Sequence, residues 1–285
     1  MTQGERVQRY LVVGNPVEHS QSPFIHTQFA SQTGQAMEYG RFECPLDDFA
    51  AVMRRLAEQG LAGCNVTVPF KFAAFEMAPR RTARACLAQA ANVLKFDSQG
   101  WLADNTDGAG LVNDIERNAG VLLSGRSVLL IGAGGAAAGV LGPLLATGPA
   151  RMVVANRNAT RAQALVERHR AAGTGISMVA APLAGCGRDF DVVINATSSS
   201  LQGSAIPVGA EVLRRGALVV DLMYGPAANG FLAWASAHGA IGRDGLGMLV
   251  EQAAQAFELW RDVRPDTAPV LAALRHRLSS GARSP

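Results

Sequence analysis

The stretch "VLLIGAGGAAAGV", residues 128–140, decides the fold. An apolar run ends on Gly132-Ala133-Gly134-Gly135-Ala136-Ala137, and an alanine-rich segment of helical length follows. This is a G-x-G-x-x-A pattern set between a strand and a helix. Gly132 permits the sharp turn, Gly134 lets backbone approach a pyrophosphate, and Ala137 lets the helix lie close to the sheet. The helix start adds N–H groups and the positive end of its dipole. Taken alone, the pattern also describes a glycine-rich packing turn, so its surroundings must be read.

They support the nucleotide reading. Apolar, β-branched runs at 127–131, 151–155, 176–179, 191–195 and 218–221 alternate with helix-length segments at 136–146 and 160–172. "SVLLI" and "DVVIN" are nearly continuous apolar runs, as strands covered on both faces require. After the second of these strands, an NAD site would place Asp or Glu to bond the ribose hydroxyl. The sequence there is Asn156-Arg157, with Arg161 one helical turn on. A cationic corner without a carboxylate suits the 2′-phosphate of NADP.

Toward the N-terminus the alternation continues. Strands are expected at 10–13, 38–42, 62–66, 92–96 and 101–103, with helices at 23–33 and 47–59. A last helix spans 247–261, with Met248, Leu249, Ala253, Ala256, Phe257 and Trp260 on one face and a polar Gln252 among them. The expected fold is two α/β domains flanking a cleft, the second a Rossmann-like doubly wound parallel sheet. Residues 1–107, completed by C-terminal helices at 246–285, form the first, and 108–245 the second.

The chain has 285 residues, 48% hydrophobic and 17% charged, with a net charge of +3. The cations are scattered, which argues against nucleic-acid binding, though an acidic small molecule could use the surplus locally. No apolar stretch approaches membrane-spanning length, and the first ten residues contain no apolar leader core. The four cysteines, Cys44, Cys64, Cys86 and Cys186, show no metal-site spacing. The expectation is a reduced, cytoplasmic protein without a metal.

Three polar segments carry candidate chemistry. In "GNPVEHSQSPFIH", residues 14–26, Ser22-Pro23 suits a helix start, but two hydroxyls there also suit a carboxylate. Capping and ligand readings stand side by side, and Ser20 has less local reason to be there. "GCNVTVPFK", residues 63–71, puts Asn65 and Thr67 at the carboxyl end of a strand, where ligands sit in open α/β sheets, with Lys71 just beyond. A lone lysine also reads as a solvated charge. "ADNTDGAG", residues 103–110, packs Asp104, Asn105, Thr106 and Asp107 before a glycine, and reads equally as a turn.

Together with "AAN", "GAGGA", "NR", "NATS" and "DGLGMLVEQAAQAF", these segments resemble, in order and over nearly the whole chain, the NADP-dependent shikimate 5-dehydrogenases. The resemblance implies reversible reduction of 3-dehydroshikimate to shikimate by NADPH, in a monomer or homodimer. It implies that Ser20 and Ser22 hold the substrate carboxylate and that Thr67, Asn92, Asp107 and Gln252 bind ring hydroxyls, with Tyr224 nearby. Lys71 and Asp107 become the catalytic pair, and Gly245 and Met248 border the nicotinamide. Charge growing on a ketone oxygen during hydride arrival needs a positioned acid, a role open to Lys71. The sequence departs from the family pattern at Val93, Asn158 and Ser200, where Thr, Thr and Gly are usual. The alternatives are a quinate/shikimate dehydrogenase with NAD or dual use, and a non-catalytic nucleotide-binding regulator.

Overall fold

The computed structural model describes residues 7–170, 176–197 and 207–280. The chain divides into two compact units, Met1–Gly110 with Leu249–Pro285, and Leu111–Met248.

The first unit contains β1 (Gln8–Gly14), α1 (Ser22–Thr33), β2 (Met37–Glu43), α2 (Phe49–Glu58), β3 (Leu61–Val66), α3 (Lys71–Met77), β4 (Arg80–Arg81), α4 (Ala83–Ala88), β5 (Val93–Asp97), β6 (Gly100–Asp104) and the start of α5 (Asp107–Asn113). Its six-stranded sheet has the order β2-β1-β3-β5-β6-β4. β1 runs parallel to β2 and β3, whereas β5 is antiparallel to both β3 and β6. The alternation of strands and helices thus gives a mixed sheet here, in contrast to a purely parallel one. The short turn between β5 and β6 cannot carry a parallel crossover, so the chain folds back as a hairpin.

Helix α1 buries Ile25, His26, Phe29 and Ala30 and ends at Gly34, whose φ of 67° is the left-handed stop a glycine supplies cheaply. Phe29 meets Phe257 with ring centroids 5.7 Å apart. Each fully buried ring of this kind contributes about 2–3 kcal/mol of transfer free energy.

In the second unit the chain leaves α5 through a π-helical turn at Asp114–Asn118. It then forms β7 (Ser127–Ile131), α6 (Gly135–Ala146), β8 (Arg151–Ala155), α7 (Ala159–Arg170), β9 (Ser177–Ala181), β10 (Phe190–Asn195), β11 (Leu213–Asp221), α8 (Asn229–Ala237) and β12 (Ile241–Arg243). The strand order is β12-β11-β10-β7-β8-β9, and every pairing is parallel. The order reverses beside β7, the topological switch point where open α/β sheets bind ligands. The buried carboxylate of Asp114 accepts from Arg243 at 2.7 and 2.5 Å, tying the π turn to β12.

The chain returns to the first unit within α9 (Leu246–Arg261), and α10 (Thr267–Ser279) follows, capped by Asp266 Oδ1 accepting from the Ala268 N–H. The single apolar face expected of α9 is too narrow a description. Val250, Glu251 and Ala254 are buried as well, and the Glu251 carboxylate is taken up by Thr267 at 2.6 Å and Arg264 at 3.5 Å. Among the described residues no helix is long and apolar enough to cross a membrane. All four cysteines are free, three of them buried.

Candidate active site and cofactor turn

The polar residues of the first unit gather around Asn92, at the point where the chain enters β5. Its backbone is fixed on both sides: Val66 N–H donates to its carbonyl at 2.8 Å, and its own N–H reaches Asp104 at 3.1 Å. Its side-chain amide nitrogen lies 2.8 Å from Asp107 Oδ1, 2.9 Å from Thr106 Oγ1 and 3.1 Å from Gln252 Oε1. Its Oδ1 accepts from the Thr106 N–H at 2.8 Å.

Lys71 opens α3 and is not a solvated charge. Its Nζ stands 2.5 Å from Asp107 Oδ2, with the two side chains 14% and 6% exposed. Asp107 thus shares its oxygens between Lys71 and Asn92. The other acid of the segment, Asp104, serves the backbone instead. Its buried carboxylate accepts from Thr82, Arg84 and the Asn105 N–H. Burial pushes its acidity down, but the Arg84 guanidinium and the Thr82 hydroxyl outweigh this and hold the group charged below its usual range.

Gln252 reaches Asn92 because Gly110 lets α5 and α9 touch. A Cβ at Gly110 would sit 2.6 Å from the Gln252 Cβ and 2.7 Å from its backbone nitrogen. Gln252 Nε2 donates back to Leu249 O at 2.8 Å, which fixes the orientation of the amide.

The serine pair is read differently once the backbone is seen. Gln21, not Ser22, occupies the cap position of α1, and no side chain caps there. Ser22 lies inside the helix and is buried, so the capping role expected of it is wrong. It is Ser20 that has the local structural role, its Oγ accepting from the Ser22 N–H at 3.3 Å and lying 3.2 Å from Ser22 Oγ. The Tyr39 hydroxyl donates to Asn65 Oδ1 at 2.6 Å, and Asn65 Nδ2 donates to Asn92 O at 3.3 Å. A run of hydrogen bonds therefore joins Tyr39 to the backbone of Asn92.

Buried His26 also bonds Asn65 Oδ1, at 3.2 Å, and stacks on Tyr39 with centroids 4.2 Å apart. Burial drives its imidazole down to about 3, the Asn65 bond opposing. Thr67 follows β3 with its methyl packed against Gly14. Val93, where the family has Thr, is buried with Tyr10, Ala256 and Trp260, so this position belongs to an apolar cluster and does not support Asn92.

In the second unit Gly132 has φ 118°, and a Cβ there would stand 3.1 Å from the Ala196 carbonyl. At Gly134, by contrast, a Cβ would meet nothing within 4 Å. Ala133 and Ala136 line the turn, and Ala137 is wholly buried against the sheet. The first bond into α6 runs from Ala138 N–H to Gly134 O, at 2.9 Å, so the N–H groups of Gly135, Ala136 and Ala137 belong to the unpaired first turn of the helix. This open, donor-rich turn fits a pyrophosphate.

Beyond β8, Asn156 Nδ2 donates to Asn158 O at 2.9 Å, and Asn158 Oδ1 accepts from the Arg161 N–H at 3.2 Å. Asn158 therefore starts α7 in the place of the family threonine. Arg157 and Arg161 are exposed beside it. Ser200 lies outside the described residues. Tyr224 follows β11, held near Asp221, which binds the Met223 N–H at 2.9 Å and Asn195 Nδ2 at 3.2 Å. Gly245 N–H donates to Met223 O at 2.9 Å, and Met248 is buried. No metal-binding group of His, Cys, Asp and Glu occurs among the described residues.

A glycine turn at the switch point of a parallel sheet, with a lysine–aspartate pair in a second α/β unit, defines a class of dinucleotide-binding α/β proteins. Family models narrow it. Residues 12–94 match the shikimate dehydrogenase substrate binding domain, 115–221 match shikimate/quinate 5-dehydrogenase, and 245–275 match the shikimate 5′-dehydrogenase C-terminal domain. A shikimate dehydrogenase (NADP+) of Methylibium petroleiphilum is 62% identical over 94% of both chains. One of Acidovorax sp. is 57% identical over 96% of this chain and 98% of its own. The crystal structure of Thermus thermophilus shikimate 5-dehydrogenase with NADP(H) and shikimate superposes with a TM-score of 0.84 at 31% identity, covering 95% of this chain and all of that one. The chain belongs to the shikimate dehydrogenase family.

Proposed function

We propose that this chain catalyses the reversible reduction of 3-dehydroshikimate to shikimate with NADPH, in a reducing cytoplasm. The observation that carries the reading is the Lys71–Asp107 pair at 2.5 Å, joined through Asn92 to Gln252. Ser20 and Ser22 bind the carboxylate, while Thr67, Asn92, Asp107 and Gln252 take the ring hydroxyls, and Tyr224 is a further substrate-binding candidate.

The cofactor lies on Gly132–Ala137, where the missing side chain of Gly134 leaves room for the pyrophosphate. Asn156, Arg157 and Arg161 receive the 2′-phosphate, and Gly245 and Met248 border the nicotinamide. NADPH supplies the hydride. Lys71 Nζ hydrogen-bonds the oxygen that gains charge, and the Lys71–Asp107 pair delivers the proton. Asn92 holds Asp107 so that one carboxylate oxygen faces the lysine and the other faces away from it.

A panel of shikimate, quinate and 3-dehydroshikimate against NADP and NAD tests this. Shikimate with NADP should dominate kcat/KM, and replacing Arg157 and Arg161 by Ala should raise KM for NADP. Equal kcat/KM with NAD, or comparable turnover of quinate, favours the quinate/shikimate alternative.

A further inference from the structure

Resting on that reading of the serines, we propose that Arg41 supplies the positive charge by which the serine pair selects a carboxylate. The hydroxyls of Ser20 and Ser22 are neutral, and Lys71 is already matched by Asp107. Hydroxyls favour a carboxylate over a neutral amide or ester through stronger hydrogen bonds, but they bring no net positive charge to offset the anion's.

Arg41, on edge strand β2, grips the Ser20 carbonyl with two nitrogens, Nε at 3.0 Å and Nη2 at 2.6 Å. No carboxylate pairs with it among the described residues. The carbonyl and hydroxyl oxygens of one serine are at most about 4–5 Å apart. The guanidinium therefore lies within about 8 Å of the Ser20 hydroxyl, inside one screening length at physiological salt. The fork on the carbonyl fixes where that charge stands, while its remaining N–H groups face solvent on the exposed side of the strand. Arg41 is thus a specificity residue, acting on the anion through its field and on Ser20 through its carbonyl.

The test compares shikimate with its uncharged carboxamide, as substrate or competitive inhibitor, at low and high salt. Arg41→Gln should raise KM for shikimate about three- to tenfold. It should leave kcat, KM for NADP and the affinity of the carboxamide unchanged, and it should flatten the salt dependence of kcat/KM for shikimate. Arg41→Lys, which keeps the charge, should recover most of the loss. Equal weakening of shikimate and carboxamide by Arg41→Gln would show an anchor for Ser20 and no charge selection, and would overturn the proposal, as would no change for either. Ser20→Ala separates the two layers. If it raises the shikimate KM while Arg41→Gln does not, only the Arg41 inference falls. If it leaves that KM unchanged, the serine reading falls and the inference with it.

Discussion

Asn92 and Gln252 are 160 residues apart in the chain, yet the side-chain amide of one donates to the other at 3.1 Å. That bond ties α9 to the segment that enters β5, whose amide also holds Asp107. It exists because Gly110 brings two helix backbones into contact.

Gly110→Ala therefore has an effect out of proportion to one methyl group. The Cβ would meet backbone atoms of Gln252, which cannot swing away. Overpacking of this kind costs about 1–3 kcal/mol. Thermal unfolding should show a lowered midpoint, and steady-state assays a raised KM for shikimate with KM for NADP little changed. An unchanged shikimate KM would show that Gln252 is not placed by this contact.

On the proposed function, Lys71→Ala removes the group that meets the developing oxygen charge. A positioned acid–base group contributes about 10²–10⁴-fold, so kcat should fall by that order while circular dichroism stays the same. Near wild-type NADPH production at 340 nm would refute the assigned role.

Gly132→Ala and Gly134→Ala, two residues apart, should behave oppositely. The first forces a side chain into a left-handed backbone against the Ala196 carbonyl, a strain of about 1–3 kcal/mol that lowers stability. The second adds a methyl to open space, so stability should stay within about 0.5 kcal/mol. Its KM for NADP should nevertheless rise about tenfold or more, since that space is where the pyrophosphate would lie. Unaltered cofactor binding in Gly134→Ala would move the cofactor elsewhere.

His26 gives the fold an acid-sensitive component. Burial lowers its folded-state value from 6.5 to about 3, so below pH 6.5 the unfolded chain takes up a proton that the folded chain refuses. Its contribution to stability is full above pH 6.5 and is lost as the pH falls toward 3, at up to about 1.4 kcal/mol per unit. Buried His169 acts with the same sign. Urea titrations at pH 7 and pH 5 should show a smaller loss in His26→Gln than in wild type. Equal losses would mean that His26 is not buried neutral.

Most of the second unit was legible because its longer strands announce themselves, whereas the three-residue β12 at Ile241–Arg243 was not read. Short runs such as 127–131 and 151–155 are covered on both faces, and the glycine turn states the direction of the chain. In the first unit the hairpin at β5 and β6 was hidden, because Asn92–Phe96 and Trp101–Ala103 look the same in either orientation. The site was legible in its polar motifs, but Tyr39 and Gly110 were not. Nothing local in "MEYGRFE" distinguishes a tyrosine that bonds Asn65, and a glycine such as Gly110 reveals its purpose only when its distant partner is known. His26 is structural, buried in ring packing against Tyr39 and Phe29. Of the two readings open for Ser22, capping fails, because the helix begins with Ser22 already inside it.

The division of the chain also bears on how the protein is made. The second unit is one continuous piece, while the first is interrupted by it. A ribosome releases Lys71, Asn92 and Asp107 long before Gln252 and Trp260, which complete their surroundings. The nucleotide-binding unit can finish folding while the earlier-made catalytic unit still waits for its last helices. On the proposed function, catalytic competence is withheld until synthesis has passed α9, and a chain stopped just before that helix would carry Lys71 and Asp107 without the Gln252 amide that bonds Asn92.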